Sequence, residues 1–321
     1  MKTIEKVLSE GKPFIVDHIA CMQHAEAIKT YVRPEEKHAW TDLPKHIQLG
    51  FKIAFISVCH QFNWDFMQNA LADNILASHD LIPEKLRDTT ARDVKRWLGS
   101  YPKKERIRAK ERAKLLRNVG HVIGEIYNDS LLDLYNACAA SKLSDDSFDN
   151  IMNQFSGYEN DPLKKKTNVL THDLIKENII LFEDQDYAKP AIDYHIMRLY
   201  LRSGRVSPTD QSVSDFLLKD ISPRASLVRH LREAVAEAEK LVSFYSGLNI
   251  ADVNYIEWQI GRSVCLNEGP LCQNQSAKIE IAEDVGHLCS GSCPYVEVCE
   301  AYNRDKKFIQ FQEPKYVSTD Y

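Results

Sequence analysis

The chain has 321 residues, of which 44% are hydrophobic and 27% are charged, and its formal net charge is −5. This composition is that of an ordinary globular protein, and it excludes a collagen-like, coiled-coil or disordered chain. The length favours two domains or lobes, the apolar runs are too short to cross a membrane, and the acidic balance argues mildly against duplex-binding proteins as a class.

Apolar residues recur at the helical spacing of three and four through most of the chain. The spacing predicts helices, in chain order, over Ile47–Val58, Phe66–Ile75, Ala113–Ile126, Leu131–Ala139, Ile192–Leu201, Ala225–Tyr245 and Val253–Val264. No segment alternates apolar and polar residues as a half-buried strand does, so the predicted fold class is all-α. Loops are predicted over Ser78–Thr90, Ser156–Lys166 and Asn267–His287, where proline, glycine and short polar residues interrupt the pattern.

Particular residues predict where helices begin and end. Ser207-Pro208 and Ser222-Pro223 each place a capping residue before a proline, which is typical of a helix start. Gly247 is predicted to end the preceding helix, because glycine readily adopts the left-handed conformation of a C-terminal cap. The opening segment MKTIEKVLSEGKPF has no apolar core of the kind that a signal peptide needs, so the cytoplasm is the expected compartment.

Five of the eight cysteines lie between positions 265 and 299, in a polar part of the chain. The other three, Cys21, Cys59 and Cys138, are scattered and are expected to be small buried hydrophobic residues. Structural disulfides are not expected in a reducing compartment, so the close spacing points to a soft metal, either zinc or iron–sulfur. The spacings C-x6-C and C-x5-C favour a cluster, because a zinc site usually has two C-x2–4-C knuckles.

The segment EWQIGRSVCLNEGPLC, followed by GSCPYVEVCEAY, resembles the C-terminal iron–sulfur loop of the endonuclease III family. These proteins are base-excision DNA glycosylases of the helix-hairpin-helix superfamily, and their cysteines follow C-x6-C-x2-C-x5-C after a helix that ends in Gly-Arg, here Gly261-Arg262. The resemblance implies a 4Fe-4S cluster with these ligands: Cys265, Cys272, Cys293 and Cys299. An insertion opens the middle step and carries Cys289, which is an alternative to Cys272, and zinc is the alternative metal.

A second resemblance to the family lies upstream, in KPAIDYHIMRLYLRSGRV. Asp193 matches the catalytic aspartate, His195 the histidine and Arg198 the arginine that follows. A fixed carboxylate suits the chemistry, because cleavage of an N-glycosidic bond develops positive charge on the sugar and needs an activated water. The alternative for Asp193 is a simple cap at the start of the next helix.

A third, weaker resemblance lies in FISVCHQFNWDFMQNAL, which is similar to the helix pair that carries a polar residue inserted beside an extruded base. Gln61 matches that residue, and such a side chain offsets the stacking lost when a base is flipped out. The alternative is an ordinary surface glutamine between two helices.

The family's Leu-Pro-Gly-Val-Gly hairpin has no counterpart, since its place before Asp193 holds VLTHD at 169–173. Without a glycine there, the backbone is not expected to approach a DNA phosphate closely. The Schiff-base lysine of the family's bifunctional members corresponds to Ile175. Lys176 is therefore the candidate for that role only if the register shifts by one residue.

Two basic segments are candidates for phosphate contacts. One is the run Lys164, Lys165 and Lys166, and the other is KKERIRAKERAKLLR at 103–117, with eight basic and two acidic residues. Clustered lysine and arginine attract the phosphates of a nucleic acid or nucleotide. The alternative for each segment is a solvated basic surface.

The resemblance implies a two-lobed, helical DNA-glycosylase-like fold with its 4Fe-4S cluster loop at 262–302. The expected lobes are 1–45 with 186–321, and 46–185. The implied activity is hydrolysis of the N-glycosidic bond of a modified or damaged base in DNA, with DNA as the partner, no membrane partner, and a structural cluster. Two alternatives stay open: hydrolysis of a free modified nucleoside or nucleotide, similar to queuosine salvage, and an iron–sulfur nucleic-acid-binding protein without catalysis.

Overall fold

The structure is a computed structural model that describes residues 11–34, 38–76, 80–218, 225–273, 281–289 and 292–312. Within these ranges the chain is mainly helical, which confirms the all-α class. None of the helices in the described ranges is long and apolar enough to cross a membrane. The predicted helix start at Ser222-Pro223 and most of the N-terminal segment assessed for a signal peptide lie outside the described residues.

The elements are, in chain order, β1 (Phe14–Val16), α1 (His18–Glu26), α2 (Lys45–Val58), α3 (Trp64–Ile75), α4 (Pro83–Arg87), α5 (Ala91–Trp97), α6 (Ala109–Tyr127), α7 (Leu131–Ala139), α8 (Ser147–Met152), α9 (Lys165–Lys176), α10 (Tyr194–Ser203), β2 (Val206–Pro208), α11 (Gln211–Leu218), α12 (Ala225–Ser246), α13 (Ile250–Ser263), α14 (Glu283–Cys289) and α15 (Glu300–Asn303). Short 3-10 turns lie at Lys104–Arg106, Gln185–Tyr187 and Lys306–Gln310.

The described residues divide into two compact units. Residues 11–34 and 189–312 form one, which we call the cysteine unit, and residues 38–188 form the other, which we call the central unit. Each segment predicted from apolar spacing is helical over most of its length. Gly247 directly follows α12 with φ +72°, which confirms the predicted helix end.

The prediction of a helix start at Ser207-Pro208 was wrong. Val206–Pro208 is strand β2, which pairs antiparallel with β1 so that Phe14 lies opposite Pro208, and the next helix begins at Gln211. Three-residue strands are too short to show alternation, so neither strand was expected from the sequence. Proline is tolerated here because it lies at the end of a two-stranded ribbon.

Two of the predicted loops contain short helices. Pro83 occupies the first turn of α4, where its missing N–H costs nothing, and therefore begins a helix inside the predicted loop Ser78–Thr90. Helix α14 lies partly within the predicted loop Asn267–His287. Both helices are too short to produce a clear apolar period.

A buried ion pair in the cysteine unit joins Arg205, the residue before β2, to Glu257 in α13. Arg205 and Glu257 are both fully buried and form a two-pronged pair, with Nη1–Oε1 and Nη2–Oε2 distances of 2.5 and 3.1 Å. The Tyr295 hydroxyl donates to the same carboxylate at 2.9 Å, and the guanidinium lies 3.7 Å from the centre of the Tyr200 ring. Burial of both charges is tolerated because each has several partners.

His24 in α1 should make the folding of this unit sensitive to acid. Its Nδ1 lies 2.8 Å from the Ala20 carbonyl, and burial, with the nearby Arg205 charge, holds its pKa well below 6.5. The unfolded chain therefore binds a proton below pH 6.5 that the folded chain excludes. We therefore expect protonation of His24 in the unfolded chain to lower the free energy of unfolding by about 2 kcal/mol between pH 7 and pH 5.

Urea denaturation at both pH values, in the wild type and in His24→Phe, measures that cost. The loss of stability on acidification should be smaller in the variant by about that amount. An equal loss in the two proteins would mean that His24 is protonated in the folded state.

The central unit is built around α2, which is buried along almost all of its length. Lys52 in this helix is buried and contacts two carboxylates: Asp173 in α9, at 2.8 Å, and Glu177, which directly follows α9. Burial disfavours its charge, but the two carboxylates outweigh that effect and raise its pKa. Trp40 also donates to Glu177 from its indole nitrogen, at 3.4 Å, so α9 is held to α2 by a polar cluster.

Candidate metal centre and catalytic carboxylate

Four cysteines of the cysteine unit line one cavity: Cys265, Cys272, Cys293 and Cys299. Cys265 lies just after α13, and Cys299 caps the start of α15. Most of the remaining wall is apolar, contributed by side chains such as Leu199, Val264 and Ile309. The cavity therefore brings together thiols that lie up to 34 positions apart in the printed sequence.

The thiols of this cavity act on one another electrostatically. Burial raises the pKa of Cys272, Cys265 raises it further, and Arg202 lowers it. Burial also raises the pKa of Cys293 well above its ordinary value, with contributions from three other cysteines of the cavity. Four thiolates this close would repel one another in a poorly hydrated cavity, so they can ionise together only when a cationic centre binds them.

Cys289 differs from these four residues. It is not among the described residues that line the cavity, and its Sγ donates to the Val285 carbonyl at 3.8 Å within α14. Burial alone raises its pKa to about 11, with no contribution from another cysteine. In the described part of the chain, the structure groups Cys272 rather than Cys289 with the other thiols.

Arg202, near the end of α10, anchors the cysteine segments. Its side chain is 2% exposed and donates to the carbonyls of Leu266 at 2.6 Å, Asn267 at 3.0 Å and Phe311 at 2.8 Å. Its Nη1 also lies 3.7 Å from Sγ of Cys265. Arg202 was not predicted from the sequence, although its position one helical turn after Arg198 places both residues on one face of the helix.

Substitution of Arg202 by Met should loosen the cysteine segments. Three carbonyls, one of them in a buried and two in partly buried contacts, would lose their donor, and an unsatisfied buried group costs about 1–3 kcal/mol. We expect the unfolding free energy to fall by at least about 3 kcal/mol and bound metal to be lost more readily to a chelator. Arg304→Met is the matched control, because the Arg304 side chain is 74% exposed and forms a surface ion pair with Glu300 across one helical turn.

Asp193 is the N-cap of α10, as the alternative interpretation of its sequence position predicted. Its Oδ1 accepts a hydrogen bond from the Ile196 N–H at 3.0 Å, and the residue is 4% exposed. The positive end of the helix dipole favours a negative charge at this position. The cap fixes the carboxylate in a poorly hydrated place, and this is also what a catalytic carboxylate requires.

His195 and Arg198 follow Asp193 on α10 but point to different surroundings. His195 is half-buried, and its Nδ1 lies 3.2 Å from Nη2 of Arg198. Arg198, expected at the substrate, is instead buried and donates to the carbonyls of Cys265 at 2.9 Å and Gly261 at 2.6 Å. Helix α10 thus presents Asp193 at its start and directs its two arginines to the cysteine segments.

The remaining predicted site residues lie in the central unit. Gln61 is partly exposed in a left-handed conformation with φ 49°, and its Oε1 accepts a hydrogen bond from Arg108 at 2.9 Å. The segment 169–173 lies inside α9, so it is helix rather than hairpin. Lys176 is the last residue of the same helix.

The lysine run at the start of α9 offers fewer phosphate contacts than its sequence suggested. Lys166 is 5% exposed, and its Nζ donates to the Ser57 carbonyl at 2.8 Å. Nζ of Lys164 donates to Asn153 at 2.5 Å, while Lys165 is half-buried. The run is thus partly a structural element of the central unit.

The basic stretch 103–117 is also partly structural. Arg112 is buried, and its guanidinium donates to the carbonyls of Val58 and His60. Arg117 donates to the Thr89 carbonyl at 2.8 Å. These two arginines hold the central unit together, so fewer positive charges are left to face an anion.

Comparison with known proteins adds no assignment: no family model matches the chain, and no curated protein matches it in sequence.

Proposed function

We propose that this protein hydrolyses the N-glycosidic bond of a modified or damaged base in DNA and releases the free base. The observation that carries the proposal is the arrangement of α10. Its N-cap is a buried carboxylate, Asp193, and its last turn carries Arg202 at a cavity of four cysteines. One of the three stretches that resemble the endonuclease III family, KPAIDYHIMRLYLRSGRV, covers the whole of this helix.

We further propose that the cavity binds a 4Fe-4S cluster through Cys265, Cys272, Cys293 and Cys299. The four thiols line one cavity, and their spacings C-x6-C and C-x5-C are wider than those of zinc knuckles. A zinc ion needs each thiolate about 2.3 Å from one point, whereas each thiolate of a cluster binds a different iron. These four cysteines would hold the cluster, which would cross-link the chain segments on either side of α14, and the proposed hydrolysis requires no redox chemistry.

In the proposed reaction, the Asp193 carboxylate stabilises the positive charge that develops on the sugar as the bond to the base breaks. A water molecule is the nucleophile: the carboxylate orients it and accepts its proton as the bond from oxygen to the sugar carbon forms. The base leaves with the electron pair of the broken C–N bond and takes up a proton from solvent. His195, which is half-buried in the first turn of α10, is the residue that we propose orients the substrate. Lys176 is retained only as a candidate for an additional lyase step, which hydrolysis does not require.

A second candidate is hydrolysis of a free modified nucleoside or nucleotide. Two observations favour it: residues 169–173 are helical where the family has its phosphate-binding hairpin, and Lys166 and Arg112 are buried. A small substrate needs fewer phosphate contacts than a DNA duplex does.

The test is base release by metal-loaded protein, offered modified duplex DNA, single-stranded DNA and free modified nucleotides in parallel. Asp193→Asn is the control for each substrate. Release from DNA alone supports the proposal, and release from free nucleotides alone supports the second candidate. Binding of DNA without release from any substrate would replace both by the non-catalytic binding protein.

A further inference from the structure

A buried glutamic acid lies behind the helix that carries Asp193. Glu239 of α12 is 0% exposed. Its Oε1 accepts a hydrogen bond from Nδ2 of Asn254 in α13 at 2.8 Å, and its Oε2 has no hydrogen-bond partner in the described part of the chain. A buried carboxyl group with one unsatisfied oxygen is rare enough in a folded protein to need an explanation.

Asn254 connects this acid to the turn before α10. The same Nδ2 donates its other hydrogen to the Ala191 carbonyl at 3.3 Å. Ala191 is itself buried and lies two residues before Asp193. The amide group of Asn254 therefore joins α12 to the backbone that leads into the Asp193 cap.

Burial and the neighbouring charges favour the neutral form of Glu239. Burial raises its pKa well above the ordinary value, and the negative charges of Glu257 and Asp193 raise it further. The hydrogen bond from Asn254 and the charge of Arg205 act in the opposite direction, but less strongly than burial. A neutral Glu239 leaves Asp193 without a second negative charge beside it.

We propose that Glu239 and Asn254 are positioning residues for Asp193: Asn254 holds the backbone before the cap, and Glu239 holds Asn254. This inference rests on the proposed role of Asp193. Catalysis by a fixed group is sensitive to small displacements, since a shift of about 1 Å can cost about a hundredfold in rate. The pair would act entirely through the position of the Asp193 carboxylate.

Three substitutions separate positioning from general support of the fold. Glu239→Gln keeps the acceptor for Asn254 and the neutral charge, whereas Glu239→Leu and Asn254→Leu remove the link. We expect kcat to fall by about tenfold to a hundredfold in both leucine variants with KM within about twofold, and to be within about threefold of wild type in Glu239→Gln. Glu237→Leu, at an exposed position of the same helix, is the matched control and should be unchanged.

The pH profile of kcat supplies the decisive readout. A neutral Glu239 predicts the same acidic limb in wild type and Glu239→Gln. A limb that moves to lower pH in Glu239→Gln would show that Glu239 carries a negative charge next to Asp193, and would overturn the inference. Wild-type kcat in both leucine variants would overturn it as well.

A second measurement does not depend on activity. The ¹³C resonance of the Asp193 carboxyl group, assigned by its absence in Asp193→Asn, should shift in Asn254→Leu and remain in place in Glu239→Gln. An unshifted resonance in Asn254→Leu would contradict positioning. If wild-type protein releases no base from any substrate, the proposed function fails, and this spectrum still decides the inference.

Discussion

Asp193→Asn should lower the rate of base release by at least about a hundredfold while leaving the fold intact. The substitution removes the negative charge that stabilises the developing positive charge on the sugar, and loss of one such group typically costs about 10²–10³ in rate. Asparagine caps helices about as well as aspartate does, so its side-chain oxygen can still accept the Ile196 N–H. The unfolding free energy should therefore change by less than about 0.5 kcal/mol.

Asp193→Ala is the comparison that separates the two roles of this residue. It removes both the charge and the cap, so it should lose base release to a similar extent and also lose about 1 kcal/mol of stability. Single-turnover kinetics and urea denaturation of both variants measure the two effects. Asp193→Asn protein with wild-type base release would show that Asp193 is only a cap and that the proposed mechanism is wrong.

Cys293→Ser should lose the metal centre, whereas Cys289→Ser should keep it. Both cysteines are buried and lie four positions apart, but only Cys293 lines the cavity with the other thiols. Loss of a ligand should release iron and lower the unfolding free energy by about 3 kcal/mol or more, because metal binding stabilises only the folded chain.

Elemental analysis, the visible absorption spectrum and thermal denaturation of the two variants test this expectation. Iron and inorganic sulfide in wild type and in Cys289→Ser, together with their absence from Cys293→Ser, would agree with the proposed ligand set. Metal loss in Cys289→Ser alone would assign that residue to the centre instead. Stoichiometric zinc in the wild type would contradict the cluster.

Seven helices of this protein, among them α2 and α12, could be predicted from the sequence, because the apolar residues of each mark its own buried face. Apolar residues at intervals of three and four mark a helix without reference to any other segment, as for α2 and α12. The end of α12 at Gly247 is equally local, because a positive φ there favours glycine. The cysteine spacing and the cap at Asp193 are likewise properties of short stretches of chain.

Other features depend on partners that are distant in the sequence, and only the tertiary structure decided them. Strand β2 is a strand because it pairs with Phe14–Val16, which no local pattern in Val206–Pro208 reveals. Lys166 and Arg112 look like surface charges in the sequence, but backbone carbonyls from α2 and the segment that follows it satisfy their donors in the interior.

The grouping of Cys272, rather than Cys289, with the other cavity thiols also depends on tertiary packing. Spacing could not predict this grouping, because the thiols lie far apart in the sequence and meet only where described residues after α13 and around the start of α15 line one cavity. The links from Arg202 to three loop carbonyls and from Asn254 to Glu239 also join residues from separate elements. A sequence pattern records which face of an element is buried, whereas the partner that a buried polar group meets is set by how the elements pack.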